Sequence, residues 1–239
     1  MRSALFSPEN MERETTDLFT LQNSKMLKVA LNGELMARQG SMVAYQGQME
    51  FEDQGAGGIG KFIKKAITGE GAPLMKVRGQ GDLFLANNAD DVHLIRLEND
   101  ALTVNGANIL AFEPSISWDI RRIEGAGMMA GGLFNTLLQG TGWVAITAHG
   151  APVVLQTNQP TYADGQAAIA WSANLQTRVH ASVNLGTLIG RSSGETIQLA
   201  FHGQGFIIVQ ASEGPGWGQS GSGHQQGGGG GGLPFGLGG

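Results

Sequence analysis

The chain has 239 residues, 41% of them hydrophobic, enough to bury a substantial core as one large all-β domain or two ordinary ones. Its formal charge of −5, from 15 basic and 20 acidic side chains, gives no general attraction to nucleic-acid phosphate and argues against DNA as a partner. With no cysteine, a disulfide framework, a thiolate metal site and a thiol nucleophile are all excluded, and no run of about 18 apolar residues is present to cross a bilayer as a helix.

Residues 1–24 are polar, with a turn at Ser7-Pro8, and read as an extended arm able to pair with a neighbour. They lack the apolar segment of a signal peptide, and Glu9, Glu12, Glu14 and Asp17 oppose an organelle transit peptide, so the expected location is the cytoplasm. From Met26 the pattern alternates. Leu27, Val29 and Leu31 face one way and Lys28 and Ala30 the other, as in a half-buried strand. Asn32-Gly33 reads as a tight hairpin turn, followed by short strands at 35–38, 42–45 and 48–52.

The next stretch, 55–71, carries a helical period. Ile59, Phe62, Ile63, Ala66 and Ile67 fall on one face and Lys61, Lys64 and Lys65 on the other. A counterpart without cations is expected at 128–138, where Leu133, Phe134, Leu137 and Leu138 repeat the spacing, and 185–190 is a shorter remnant. Strands at 92–97 and 102–104 are divided by an Asn99-Asp100 turn. Ile116, Trp118 and Ile120 alternate with Ser117 and Asp119, a pattern that buries the tryptophan. Turns at Pro160 and Asp164-Gly165 precede a strand at 167–171. From residue 214 onward glycine dominates, with an unbroken run at 227–232, and this tail is expected to be disordered because it cannot bury enough apolar surface to offset backbone entropy.

The chain repeats itself. Ala44-Tyr45, Ala111-Phe112 and Ala170-Trp171 end equivalent strands; Met49, Ile116 and Leu175 follow four residues after each aromatic, and Phe51, Trp118 and Thr177 follow six after. Arg78-Gly79-Gln80-Gly81, His149-Gly150-Ala151-Pro152 and His202-Gly203-Gln204-Gly205 align as a second set. The organisation is therefore an arm (1–24), a single all-β domain of three tandem units (about 25–90, 91–158 and 159–213) and a tail (214–239). The expected fold class is a β-sandwich with double-stranded β-helix-like repeats and one or two short amphipathic helices in the inserts.

Residues 33–45 (GELMARQGSMVAY), the insert with Gly57-Gly58 and Lys61 to Lys65, Thr68-Gly69-Glu70-Gly71, and Gly79-Gln80-Gly81 resemble the mitochondrial biogenesis family named "altered inheritance of mitochondria twenty-four". The resemblance covers roughly residues 20–211. It implies tandem β units with a fold similar to the tryptophan RNA-binding attenuation protein, assembled as a homotrimer. The acidic start and the glycine-rich tail depart from a mitochondrial setting, and a bacterial cytoplasmic member is the better match.

Two sets of residues are candidate sites. Lys61, Phe62, Lys64 and Lys65 present cations opposite an apolar face, which suits an anionic membrane surface or an acidic protein partner, while the same helix also suits a cap on its own core. Arg78, His149 and His202, each one residue before a glycine, would converge on an anion if the units surround a pseudo-threefold axis. Phosphate-loop, dinucleotide and serine-hydrolase motifs are absent. The histidines, with no His-x-His pair, give weak support to a metal-dependent enzyme, and no cofactor is implied. Tyr45, Phe112 and Trp171 read as buried, against single-stranded RNA binding. The expectation is a non-catalytic oligomeric scaffold or binding protein, with an anion- or lipid-binding module on the oligomer axis as the alternative.

Overall fold

The computed structural model describes residues 1–53, 74–125, 134–180 and 198–212. The lysine-bearing segment, the 185–190 remnant and the glycine-rich tail lie outside the described residues. Within them the protein is all-β, built from antiparallel sheets as the alternating hydrophobic pattern requires.

Fourteen strands are described: β1 (Phe19–Asn23), β2 (Met26–Arg38), β3 (Met42–Asp53), β4 (Leu74–Leu85), β5 (Asp91–Asn105), β6 (Ile109–Phe112), β7 (Ser117–Arg122), β8 (Phe134–Ala148), β9 (Val153–Gln156), β10 (Thr161–Asp164), β11 (Ala168–Ser172), β12 (Gln176–His180), β13 (Gln198–His202) and β14 (Phe206–Val209). Eleven of them form one sheet, in the order β3-β4-β2-β6-β8-β5-β11-β14-β9 with β1 on β2 and β7 on β8. A second sheet has the order β10-β13-β12. It packs Leu199 and Phe201 against Trp171 and Ile207 of the large sheet, with the Trp171 and Phe201 rings edge to face at 5.3 Å.

Pairing shows the three units directly. Each has a leading, a middle and a closing strand in chain order, and the closing strand lies between the other two. In unit one these are β2, β3 and β4. In unit two they are β5, β6 with β7, and β8. In unit three each long strand is split, into β9 with β10, β11 with β12, and β13 with β14. The segments 54–73, 126–133 and 181–197 join middle to closing strand in every unit.

Register makes the equivalence quantitative. Ala44-Tyr45 pairs with Phe84 and Leu83, Ala111-Phe112 with Ala145 and Val144, and Ala170-Trp171 with Ile208 and Ile207. Counted along the closing strand, these partners stand at one fixed offset from Gly79, Gly140 and Gly203 respectively. Phe51, Trp118 and Thr177 likewise pair with Val77, Leu138 and Phe201 at one offset. The unit-two counterpart of Arg78-Gly79-Gln80-Gly81 is therefore Gln139-Gly140-Thr141-Gly142. His149-Gly150 lies beyond the end of β8, and β9, which among the described residues pairs with β14 alone, begins the third unit at Val153.

Four local expectations are corrected. Asn32-Gly33 is no hairpin turn: β2 runs through it and stays paired with β4 on both sides. Asn99, at φ 56°, is a bulge inside a continuous β5, since the register slips by one residue between Glu98 and Asp100. Residues 134–138 open β8 instead of closing a helix. Asn135 to Leu138 are buried on both faces of the sheet, and apolar spacing alone cannot separate such a strand from a helix. Lys28 does not face solvent but is 3% exposed, because the arm lies over it. Trp118 is half-buried and packs on the central cluster of Phe112, Leu138, Val144 and Ile146.

Candidate functional site

Strand pairing between units repeats as well. The middle strand of unit two docks on the leading strand of unit one, Met36 opposite Phe112 and Ala37 opposite Ala111. The middle strand of unit three docks on the leading strand of unit two in the same way, Thr103 opposite Trp171 and Val104 opposite Ala170. These two junctions close over their aromatics, leaving Phe112 at 0% and Trp171 at 2% exposure.

A third junction of this kind is half present at each end of the chain. Tyr162 and Ala163 of β10 pair with Ala200 and Leu199, the offset at which Met36 and Ala37 pair with Lys76 and Met75. They are the leading-strand half. Ala44 and Tyr45 of β3 are the middle-strand half. Neither half has a partner strand on its outer side among the described residues: β3 and β10 are edge strands of their sheets. Tyr45 is 46% and Tyr162 48% exposed, in contrast to their equivalents, and Met42 and Val43 beside Tyr45 are exposed too. The expectation that all three repeat aromatics are buried thus fails for Tyr45. An apolar, unpaired strand edge is a template for pairing with another chain, and these two edges sit at the repeat positions that pair with each other at the two junctions inside the molecule.

The candidate anion set has a different fate. Arg78 sits mid-strand and is neutralised across the sheet, its Nε 3.3 Å from Glu34 and its Nη1 2.9 Å from Glu52. Hydrogen bonding from Arg78, then the charge of Lys76, holds the Glu34 carboxyl below the usual 4.5. His149 leaves the strand register and sets its Nδ1 2.6 Å from the buried Asp90 carboxylate, which also accepts from Asn87. His202 ends β13 opposite Gln176. Only Arg78 and His202 hold the shared position, whose third member is Gln139. Among the described residues no three His, Asp or Glu side chains gather to hold a metal ion, and no helix is long and apolar enough to cross a membrane.

A latch that sequence patterning could not reveal lies over the outer face of unit one. Lys28 Nζ is 2.6 Å from Glu12 Oε1, 2.8 Å from the Arg13 carbonyl and 3.4 Å from Asp82, and it stands over the Phe84 ring. Gln22 brackets the arm from β1, accepting from Arg13 N–H and donating to the Met11 carbonyl, while Gln46 of β3 donates to Glu12. Hydrogen bonding from Lys28 lowers the Glu12 pKa below 4.5. For Lys28, desolvation pulls downward, but Glu12 and Asp82 together raise it above 10.5. Glu12 therefore stabilises the docked arm at any pH above 4.5, and that contribution is lost as pH falls through its depressed value. Lys28 stabilises it below 10.5 and loses the contribution as pH rises through its raised value. Hydrogen exchange should find the Arg13 amide, which donates to Gln22, protected at pH 7, and unprotected both once pH falls through the depressed Glu12 value and, at pH 7, in Lys28→Met. Protection that survives in both would mean that the ion pair does not hold the arm.

Comparison with known proteins agrees with this architecture. The model of a family described as mitochondrial biogenesis AIM24 matches residues 19–212. No curated protein matches. Among solved structures, the X-ray crystal structure of a protein from Streptococcus pyogenes superposes with a TM-score of 0.64 at 21% identity, covering 81% of this chain and 92% of its own. That likeness is one of fold.

Proposed function

The chain belongs to the mitochondrial biogenesis AIM24 family, and from that membership we propose that it works without turnover, as a scaffold that assembles head to tail into a closed homotrimer. The observation that carries this reading is the divided third junction: among the described residues, an unpaired Ala44-Tyr45 edge at one end of the chain and an unpaired Tyr162-Ala163 edge at the other. The two edges differ, so the contact they favour is heterologous, and a heterologous contact yields a ring when its rotation closes. Three copies is the number the family resemblance implies, giving nine units around the ring. Burying Tyr45 and Tyr162 as Phe112 and Trp171 are buried would supply apolar area on top of the backbone hydrogen bonds of strand addition.

Native mass spectrometry tests the proposal. The wild-type chain should appear as a trimer, whereas Tyr45→Lys and Tyr162→Lys, each placing a charge on one edge, should be folded monomers by circular dichroism. Mixed together, the two variants should form a one-to-one dimer, because each keeps the edge that the other lacks. A wild-type chain that stays monomeric at micromolar concentration would refute the reading. So would a mixture that never pairs.

A further inference from the structure

We infer that residues 3–11 of the arm clasp the neighbouring copy, with Leu5, Phe6 and Met11 seated on its strand β9. The inference rests on the head-to-tail reading and says what else that contact contains.

It starts from the repeat register. Val153, Val154 and Leu155 pair with Val209, Ile208 and Ile207, the offsets at which Leu27, Lys28 and Val29 pair with Leu85, Phe84 and Leu83. In unit one this stretch is covered by the chain's own N-terminal segment. Strand β1 pairs Leu21 with Leu27 and Phe19 with Val29, and Glu12 and Arg13 close over Lys28. In this setting Lys28 is 3% exposed and Leu27 and Val29, on the core side, 0%, whereas Val153 and Val154 in unit three are 55% and 56% exposed. Among the described residues, strand β9 ends the large sheet with nothing paired on its outer side.

The composition of the uncovered stretch selects its cover. Where unit one has Lys28 and receives a carboxylate, unit three has Val154, which calls for an apolar group. The arm has such a group ready. Ala4–Phe6 and Pro8–Asn10 form two successive 3-10 turns, fixed by Ser3 Oγ accepting from Leu5 N–H, by Ser7 Oγ donating to the Ala4 carbonyl and by Asn10 Nδ2 donating to both Ala4 and Ser7. Leu5 is nonetheless 69% exposed, and Phe6 and Met11 are each 55% exposed. Ordering these apolar side chains outward is unfavourable for an isolated chain and favourable for one with a partner. The arm is also at the right edge. Glu12 touches Gln46, the residue after Tyr45, so residues before it leave the domain beside the β3 edge, which in the ring faces the neighbour's unit three.

The cysteine-free chain allows a direct test. Phe6→Cys and Val154→Cys are prepared separately, one of them isotope-labelled, mixed as full-length protein and treated with a short bismaleimide. The expected result is a covalent dimer containing one chain of each variant. The double change Leu5→Ser, Phe6→Ser should keep the fold while raising the trimer dissociation constant roughly tenfold or more. No mixed cross-link in a sample that native mass spectrometry shows to be trimeric, or an unchanged dissociation constant, overturns the clasp and leaves the ring standing. A sample that is monomeric throughout overturns both.

Discussion

Gly81→Ala should destabilise the fold severely while leaving enough folded protein to unfold in urea. Gly81 has φ +139° inside β4, in the region that L side chains rarely adopt, and a Cβ built there falls well within 3.0 Å of the Gln46 carbonyl oxygen on β3. Gly79 meets the Gln48 carbonyl in the same way. The obstacle on each side is backbone of a strand fully paired with β4, so no side-chain movement relieves it. We expect a loss of about 4–5 kcal/mol or more, the range of the most damaging single substitutions and a large part of a domain stability of about 5–15 kcal/mol. Gly33→Ala is the control. Its φ is +130°, but its Cβ would meet nothing within 4 Å, so only backbone strain of about 1–2 kcal/mol remains. Urea unfolding compares the two, and equal losses would mean that close approach of the strands at Gly81 is not what requires glycine.

The second large effect belongs to the inter-unit junction. Phe112→Ala removes a ring that is 0% exposed where unit two docks on unit one, and should cost about 3–5 kcal/mol of stability. Tyr45→Ala, at the same repeat position but on a free edge, should cost under about 1 kcal/mol in dilute monomer. At concentrations where the trimer forms, Tyr45→Ala should weaken assembly. If both substitutions cost the same at dilution, the two positions are not equivalent halves of one kind of contact.

Much of this architecture is legible in the sequence because the repeat aromatics carry their own spacing. An alanine before each ring and a second set six residues later fix the middle strands, and register bears this out at Phe51, Trp118 and Thr177. The closing strand of unit two is misread for a chemical reason. Its positive-φ glycines lie in Gln139-Gly140-Thr141-Gly142, which lacks a basic residue, while His149-Gly150 ten residues on imitates the other two copies. Asn32-Gly33 and Asn99-Asp100 carry turn chemistry but lie inside a continuous strand and at a bulge, because pairing with β4 and β8 continues on both sides of them. The burial of Lys28 and the exposure of Tyr45 depend on which segment lies on which, a tertiary matter that alternation in one strand does not encode. The edges that carry the proposed function are visible only once the register shows that one junction of three is unmade.

The split of every long strand in unit three has a mechanical consequence. In units one and two the leading and closing strands run unbroken for 12 to 15 residues, and only the middle strand of unit two is divided. In unit three the closing strand is interrupted between His202 and Phe206, and the two halves belong to different sheets. In the proposed ring, angular mismatch between copies would be taken up at that break, by rotation of the small sheet, because the closing strand is not continuous across it.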